Sequence, residues 1–283
     1  MALRGGPAHV GYLQAFYDKA DRQLVLRAND ISAMHVAWQY YLNGVQYPFL
    51  EHPLHPFFGV YFAPTPHEHL LQLDDWLSQH PDALSSRDAR ALDLGTGSGV
   101  ISFLLRRRRP ALEIVASDLS PNAIFSVTNE LERWSMSGIE AVESDLFSAP
   151  AAQGPFDVII FNPPWVPRPP ELDSDASAPG RVIAGNDYPP GLFARLLAAA
   201  PAALRPGGRL LILFSDYAQS RGLVDASPLQ EAYEAAVGGL HLAGISRRPV
   251  PPSKRAAHRQ TRRDKSWALA QDYSVELWEL ERR

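Results

Sequence analysis

Two short stretches of the 283-residue chain hold polar side chains at spacings suited to chemistry. The first is Asp93-Leu94-Gly95-Thr96-Gly97-Ser98-Gly99, set between an apolar run and a helix-forming run. Its glycines let the backbone turn sharply and expose main-chain atoms that any Cβ would shield from a ligand. The Gly-x-Gly-x-Gly spacing is one residue short of the dinucleotide fingerprint, and an acid stands ahead of the first glycine. A carboxylate there repels a pyrophosphate and suits a ligand with an ammonium group and no phosphate. Nineteen positions beyond Gly99, at the end of the next apolar run, Asp118 can accept both hydroxyl protons of a ribose. Asp145, in Glu-Ser-Asp-Leu-Phe, comes after a short third run at the distance where an adenine amino group is read.

The second stretch is Asn162-Pro163-Pro164-Trp165, directly after Phe-Asp-Val-Ile-Ile-Phe. Successive prolines remove backbone donors and fix the turn, so the Asn162 carboxamide oxygen and the Pro163 carbonyl can both accept from one NH2 group. Two acceptors pull that nitrogen out of conjugation and aim its lone pair at an electrophile. The Trp165 face stacks on a planar substrate and adds cation–π attraction near the reacting centre. Positioning and electrostatic complementarity then supply most of the acceleration, and no strong base is required.

Asp-Leu-Gly-Thr-Gly-Ser-Gly, Asp118 and Ser-Asp-Leu-Phe together resemble the cofactor site of class I S-adenosylmethionine-dependent methyltransferases, over residues 88–216. The resemblance implies an α/β fold with a doubly wound, seven-stranded, mainly parallel sheet and S-adenosyl-L-methionine as cofactor. It implies Asp93, Gly95, Thr96, Gly97 and Gly99 near the methionine portion, Asp118 and Leu119 at the ribose, Asp145 and Leu146 near the adenine, and Asn162 bordering the cofactor. The Asn-Pro-Pro-Trp stretch is similar to the (Asn/Asp/Ser)-Pro-Pro-(Tyr/Phe/Trp) tetrapeptide of enzymes that methylate a nitrogen attached to a planar system, among them the N6-adenine group. By that resemblance Asn162, Pro163, Pro164 and Trp165 are the catalytic set, with no metal.

A finer resemblance is to the protein-glutamine N5-methyltransferases that modify release factors. Those enzymes carry Pro-Arg-Pro-Glu-Thr-Glu-Leu-Leu ahead of the glycine turn, and this chain has Pro64-Thr65-Pro66-His67-Glu68-His69-Leu70-Leu71. Ala184-Gly185-Asn186-Asp187 echoes a later segment of the same group. The arginine and both glutamates of the first element are replaced here, and the tetrapeptide ends in Trp. Leu-Ile-Leu-Phe-Ser-Asp stands where that group usually has a glutamate. The methyl acceptor therefore stays open between a protein side-chain amide, a nucleic-acid base and a small planar metabolite. Two other uses of the cofactor stay open as well: binding without catalysis, and cyclisation of its aminobutyrate arm.

These residues need rigid elements behind them. After Arg90 the pattern is strand, tight turn, helix, strand, the grammar of a doubly wound sheet. Ala-Arg-Ala-Leu-Asp-Leu and Leu-Glu-Ile-Val-Ala-Ser-Asp read as strands. Phe-Asp-Val-Ile-Ile-Phe and Gly-Gly-Arg-Leu-Leu-Ile-Leu-Phe-Ser are apolar enough to be buried on both faces. Tyr-Ser-Val-Glu-Leu-Trp-Glu-Leu alternates as a half-buried final strand. Pro121 opens a helix at its first turn. Residues 1–85 read as an N-terminal helical, aromatic-rich region, with Val10, Leu13, Phe16 and Tyr17 on one face and a second helix holding Met34, Val36, Trp38, Tyr40 and Tyr41. Five prolines from Pro48 to Pro66 predict an extended connector crossing the surface of the sheet domain, leading to a helix over 69–79. Residues 86–283 then form the cofactor-binding domain, with a functional loop expected over 166–190.

The composition bounds the alternatives. A chain that is 46% hydrophobic buries a full core, and the absence of cysteine excludes disulfides, thiol nucleophiles and thiolate metal sites. No window approaches the roughly 18 apolar residues of a membrane span, so no membrane contact and a cytoplasmic location are expected. Residues 246–265 hold eight cations against one carboxylate, while the rest of the chain holds 19 basic and 30 acidic side chains. That asymmetry points to a polyanion contact through 246–265. His52, His55, His67 and His69 cluster within eighteen residues, but a proline-broken segment offers no single face to hold a metal, and polar packing or substrate contact is their expected use. The aromatic residues between Trp38 and Phe62 read as a seam joining the helical region to the sheet, and Arg106 to Arg109 as cations that offset a helix dipole.

Overall fold

The computed structural model describes residues 28–63, 67–168, 187–236, 238–251 and 273–283. The expected first helix with Val10, Leu13, Phe16 and Tyr17 lies outside the described residues, as do Pro64 to Pro66, residues 169–186 and the basic stretch from residue 252.

The helices are α1 (Ala28–Asn43), α2 (Glu68–Gln79), α3 (Val100–Arg108), α4 (Pro121–Arg133), α5 (Leu192–Ala203), α6 (Tyr217–Ser220) and α7 (Pro228–Ala235). The strands are β1 (Arg90–Leu94), β2 (Glu113–Asp118), β3 (Ile139–Glu143), β4 (Phe156–Phe161), β5 (Val166–Pro167), β6 (Asp187–Tyr188), β7 (Leu204–Ser215), β8 (Leu240–Pro249) and β9 (Ser274–Arg282). Seven of them form one sheet in the order β3-β2-β1-β4-β7-β9-β8. Pairings among β3, β2, β1, β4 and β7 are parallel, and β9 runs antiparallel to both β7 and β8. This is the expected α/β, doubly wound, mainly parallel sheet.

Alternation along the strands divides the core between two faces. Ala91, Ile114, Ile160, Leu211 and Leu277 share one apolar cluster with Leu70, Leu73 and Leu77 of α2 and with Leu104 of α3. Leu92, Val115, Ile159, Leu210 and Ile212 share the other with Phe193, Leu196 and Ala200 of α5 and with Leu229 of α7. The chain leaves β1 toward β2 and β3 and returns on its other side as β4, so a crevice opens beyond the carboxyl ends of β1, β2 and β4. Leu94 pairs with both Ser117 and Phe161, which brings the three strand ends to one level.

Two expectations need correction. The segment after α1 does not run over the surface: Tyr47, Phe49, Leu54, His55 and Phe58 are buried in it. Polar contacts sew it to α4, since His55 donates from its backbone N–H to Glu130 at 3.2 Å and Phe57 N–H donates to Ser126 Oγ at 2.7 Å. The expected second helix is α1, on which Met34 is buried and Val36 and Tyr40 are exposed. Residues 246–249, expected within an irregular basic segment, instead complete β8, where Arg247 pairs with Glu276 at 2.8 Å and Arg248 bridges Glu68 and Asp75. A register shift between Leu242 and Gly244 breaks the period-two signal of that strand, which is why its sequence did not read as one.

Arg106 to Arg109 do more than face a helix dipole. Arg107 donates to the Phe49 carbonyl at 2.7 Å, Arg108 pairs with Asp74, Arg109 donates to the Leu77 carbonyl at 2.8 Å and Arg106 to the Gly138 carbonyl. Glu130 is the central buried fastener, taking His55 on one oxygen and Trp134 Nε1 on the other at 2.9 Å. Its removal leaves these donors unpaired. Glu130→Ala is therefore expected to lower stability by about 3 kcal/mol in urea unfolding, and a loss below about 0.5 kcal/mol would refute this fastening role.

Candidate functional site

Asp93 lies in β1, one residue before its end, with no solvent exposure. Its Oδ2 accepts from Thr96 Oγ1 at 2.6 Å, from Ser102 Oγ at 2.6 Å and from Ser102 N–H at 3.0 Å, whereas its Oδ1 is buried without a partner. Burial raises its pKa to about 6 against the pull of the Ser102 and Thr96 hydrogen bonds, and the nearby Asp118 adds to the rise. A half-satisfied buried carboxylate at a glycine turn fits an ammonium group, so these residues suit the amino-acid end of S-adenosylmethionine.

Gly97 and Gly99 both adopt left-handed backbone, with φ +54 and +83. A Cβ on Gly97 would stand 2.8 Å from the Tyr61 carbonyl oxygen, and one on Gly99 would stand 2.8 Å from the Phe103 ring. The Tyr61 carbonyl also accepts from Ser98 N–H at 3.0 Å, so the buried connector and the glycine turn are one construction.

Asp118 closes β2. Its Oδ2 accepts from Gly97 N–H at 2.9 Å and its Oδ1 from Ser120 N–H at 2.8 Å, which fixes the carboxylate at the edge of the crevice. Burial raises its pKa, and the hydrogen bonds from Ser120, Gly97 and Leu119 oppose the rise. Leu119 beside it is 67% exposed, and Leu146 holds a left-handed φ of +50. Asp145 lies just past β3 and is partly exposed, in an ion pair with Arg195 at 2.7 Å.

Asn162 comes directly after β4, and its Oδ1 is buried without a hydrogen-bond partner. Pro163 is buried and Pro164 half-buried. Trp165 donates Nε1–H to the Leu213 carbonyl at 3.2 Å, and its ring meets His69 edge to face at 5.1 Å. The structure thus brings Asp93, Gly95, Thr96, Gly97, Gly99, Asp118, Asn162 and Trp165 to one end of the sheet, with Asp145 and Leu146 just beyond β3. The four clustered histidines go separate ways: His52 stacks on Trp134 and His55 pairs with Glu130, while His67 packs on Tyr47 and His69 on Trp165.

Tyr61 was only one member of the aromatic seam in the sequence, yet it links both halves of the site. Burial and the neighbouring Tyr273 push its phenol up to about 12, while the adjoining Asn162 carboxamide pulls the other way. Nothing local in its surroundings marks this role, because the partners lie 37 and 101 residues further along the chain.

Comparison with known proteins gives the family. A family model described as the methyltransferase small domain matches residues 77–173. The chain is 31% identical over 208 residues to the release factor glutamine methyltransferase of Bordetella pertussis, covering 68% of this chain and 72% of that one. It is 34% identical over 126 residues to the enzyme of that description from Deinococcus radiodurans, covering 44% of each. Several of these matches span only about half the length of the curated relatives. Among solved structures, the [4+2]-cyclase SpnF shares the fold, with a TM-score of 0.51 and 14% identity over 88% of this chain and 92% of that one.

The chain belongs to the class I S-adenosylmethionine-dependent methyltransferases. Within that class it is similar to the release factor glutamine methyltransferases. Among the described residues, no helix is long and apolar enough to cross a membrane.

The raised pKa of Asp93 sets a pH dependence. An ammonium group needs the ionised carboxylate, so S-adenosylmethionine affinity should weaken as pH falls through about 6, as measured by calorimetry between pH 5 and 8. Ligand-free stability runs the other way for this group. Its folded pKa exceeds the unfolded value, so between about 6 and the ordinary carboxylate range of about 4 the folded state binds the extra proton and gains stability as pH falls. Asp93→Asn should flatten both trends.

Proposed function

We propose that the protein methylates an amide or amino nitrogen held by Asn162 and Pro163. The observation that carries this reading is the buried, unpartnered Asn162 Oδ1 at the end of β4, one strand away from the glycine turn. An orphan acceptor in such a place costs about 1–3 kcal/mol unless a donor completes it, and an NH2 group is such a donor. The Pro163 carbonyl offers a second acceptor to the same nitrogen.

When bound, S-adenosylmethionine supplies a methyl group on a cationic sulfur, an electrophile with a good leaving group. Asp93 and the glycine turn would hold the amino-acid end, Asp118 the ribose hydroxyls, and Leu119 and Leu146 would flank the adenine beside Asp145. Asn162 and Pro163 orient the acceptor nitrogen, and Trp165 borders its planar group. Held there by Asn162 and Pro163, the acceptor nitrogen would face the methyl group that the cofactor supplies and would give up one proton to water. Asn162→Ala is expected to lower turnover at least about 100-fold while leaving cofactor affinity within about threefold, read as S-adenosylhomocysteine formed with a cell extract and as calorimetry. Unchanged turnover would reject the role of Asn162, and methylthioadenosine as the product would select cyclisation instead.

The acceptor is read as macromolecular, in line with the relatives named above, and as polyanionic or presented by a polyanion. What supports this is where the basic segment is attached. Val250 N–H donates to the Tyr273 carbonyl at 3.0 Å, and Tyr273 neighbours Tyr61 beside Asn162, so the described residues on either side of 252–272 lie next to the candidate site. The expected outcome is binding of a single-stranded RNA homopolymer that weakens steeply from 50 to 200 mM salt. Reversing Lys254, Arg255, Arg259, Arg262, Arg263 and Lys265 to glutamate should abolish it, whereas salt-insensitive binding would dismiss the polyanion.

A further inference from the structure

His67 and His69 stand at the start of α2 with 7% and 3% of their surfaces exposed. His67 Nδ1 and His69 Nε2 are both buried without a hydrogen-bond partner. By contrast, His55 Nδ1 meets Glu130 at 3.1 Å and His80 Nδ1 meets the Trp76 carbonyl at 2.9 Å, while His35 Nδ1 on α1, outside the α2 start, is also buried without a partner.

Neither imidazole at the α2 start performs an evident structural task with its free nitrogen. His67 occupies the N-cap position, where a side chain ordinarily accepts from the first turn, yet it makes no such bond. His69 lies in the first turn and meets the ring of Trp165, the residue that ends the Asn-Pro-Pro-Trp stretch. The unpartnered Nε2 therefore belongs to a side chain that already borders the seat assigned to the acceptor. Buried polar atoms in native proteins nearly always have partners, so a ring nitrogen without one beside such a seat is the mark of a group awaiting a ligand.

Charge sets the chemistry of the missing partner. Burial drives the His69 pKa down to about 3, with His67 adding to the fall, and burial lowers His67 as well. Both rings are neutral at physiological pH. A neutral imidazole offers one N–H and one lone pair, which suits a polar, uncharged partner and does nothing to offset a buried cation. A carboxamide, or an exocyclic amine beside a ring nitrogen, presents an NH2 group to Asn162 and an acceptor atom next to it. That acceptor atom is what an Nε2–H of His69 would bind.

We propose that His69 binds the methyl acceptor directly and that the His67–His69 pair restricts it to neutral planar groups of the carboxamide or aminoheteroaromatic kind, excluding cationic amines. The proposal rests on the methyl-transfer reading above, and its test separates the two. S-adenosylhomocysteine is first bound to the full-length protein, and benzamide, 9-methyladenine and n-propylamine serve as probes.

The wild type should bind benzamide or 9-methyladenine at millimolar concentration and n-propylamine at least tenfold more weakly. His69→Phe keeps a ring but loses both nitrogens, and it should weaken the favoured probe at least tenfold with cofactor affinity unchanged within threefold. His69→Gln restores an amide near the Nε2 position and should recover most of the binding. In the wild type, the 15N resonance of His69 Nε2 should shift on probe addition, a readout that a purely structural histidine would not give and that does not depend on any variant folding. Equal probe binding by the Phe variant, a silent 15N resonance, equal binding of n-propylamine or no probe binding by the loaded wild type would each overturn the proposal. Failure of the wild type to bind S-adenosylhomocysteine would instead reject the methyl-transfer reading beneath it.

Discussion

One buried carboxylate constrains the whole crevice. Asp93 is shut away from solvent, and a buried charge of this kind costs several kcal/mol unless donors surround it. Three of its donors come from Thr96 and Ser102, which are residues of the glycine turn and of the first turn of α3. Gly99 at the N-cap of α3 has no side chain to accept from the helix, so Asp93 takes the Ser102 N–H from across the turn and lies near the positive end of the helix. The same side chain thereby folds the loop and leaves one oxygen unsatisfied. That oxygen is where an ammonium group would complete the turn.

The second constraint is that the turn is braced from outside the sheet. The Tyr61 carbonyl sits against Gly97 and accepts from Ser98, while the Tyr61 phenol lies against Asn162. Tyr61 in turn is held by a connector whose backbone is pinned to Ser126, Asn122 and Glu130 of α4. A shift of α4 would therefore be felt at both the glycine turn and the Asn-Pro-Pro-Trp stretch. This coupling gives a structural reason for a segment rich in proline and aromatic residues to be buried rather than laid over the surface. It has to reach the mouth of the crevice in a fixed conformation.

The parts of this arrangement that were legible in the sequence are those that depend on local pattern. Phe-Asp-Val-Ile-Ile-Phe had to be a strand covered on both faces, and the acids at the strand ends had to sit at the crevice once the strands were parallel. Asp93, Asp118 and Asn162 were readable for that reason. What stayed hidden depends on contacts between distant segments or on broken periodicity. The link of Tyr61 to Ser98 and Asn162 has no local signature, and the bulge between Leu242 and Gly244 disguised β8. Arg107, Arg108 and Arg109 looked like helix-end charges, yet each reaches a specific partner on the connector or on α2. The ion pair of Asp145 with Arg195 was equally invisible, because α5 lies fifty residues further along.

The orientation of Trp165 bears on where selectivity resides. Its indole N–H donates to the Leu213 carbonyl of β7, which orients the ring against the sheet. An aromatic wall selects for planarity but reads no polar pattern, since its π face carries neither a donor nor a lone pair. On the proposed reading, Asn162 and Pro163 would read only the NH2 group itself. Discrimination among planar NH2 compounds would then come from groups that reach the atoms beside the nitrogen, and His69 in the first turn of α2 is packed against Trp165. Leu70 in that turn packs into the sheet core and Glu68 pairs with Arg248 of β8, whereas His69 turns to Trp165, so on the proposed reading substitution at His69 would change the acceptor while the cofactor site stays intact.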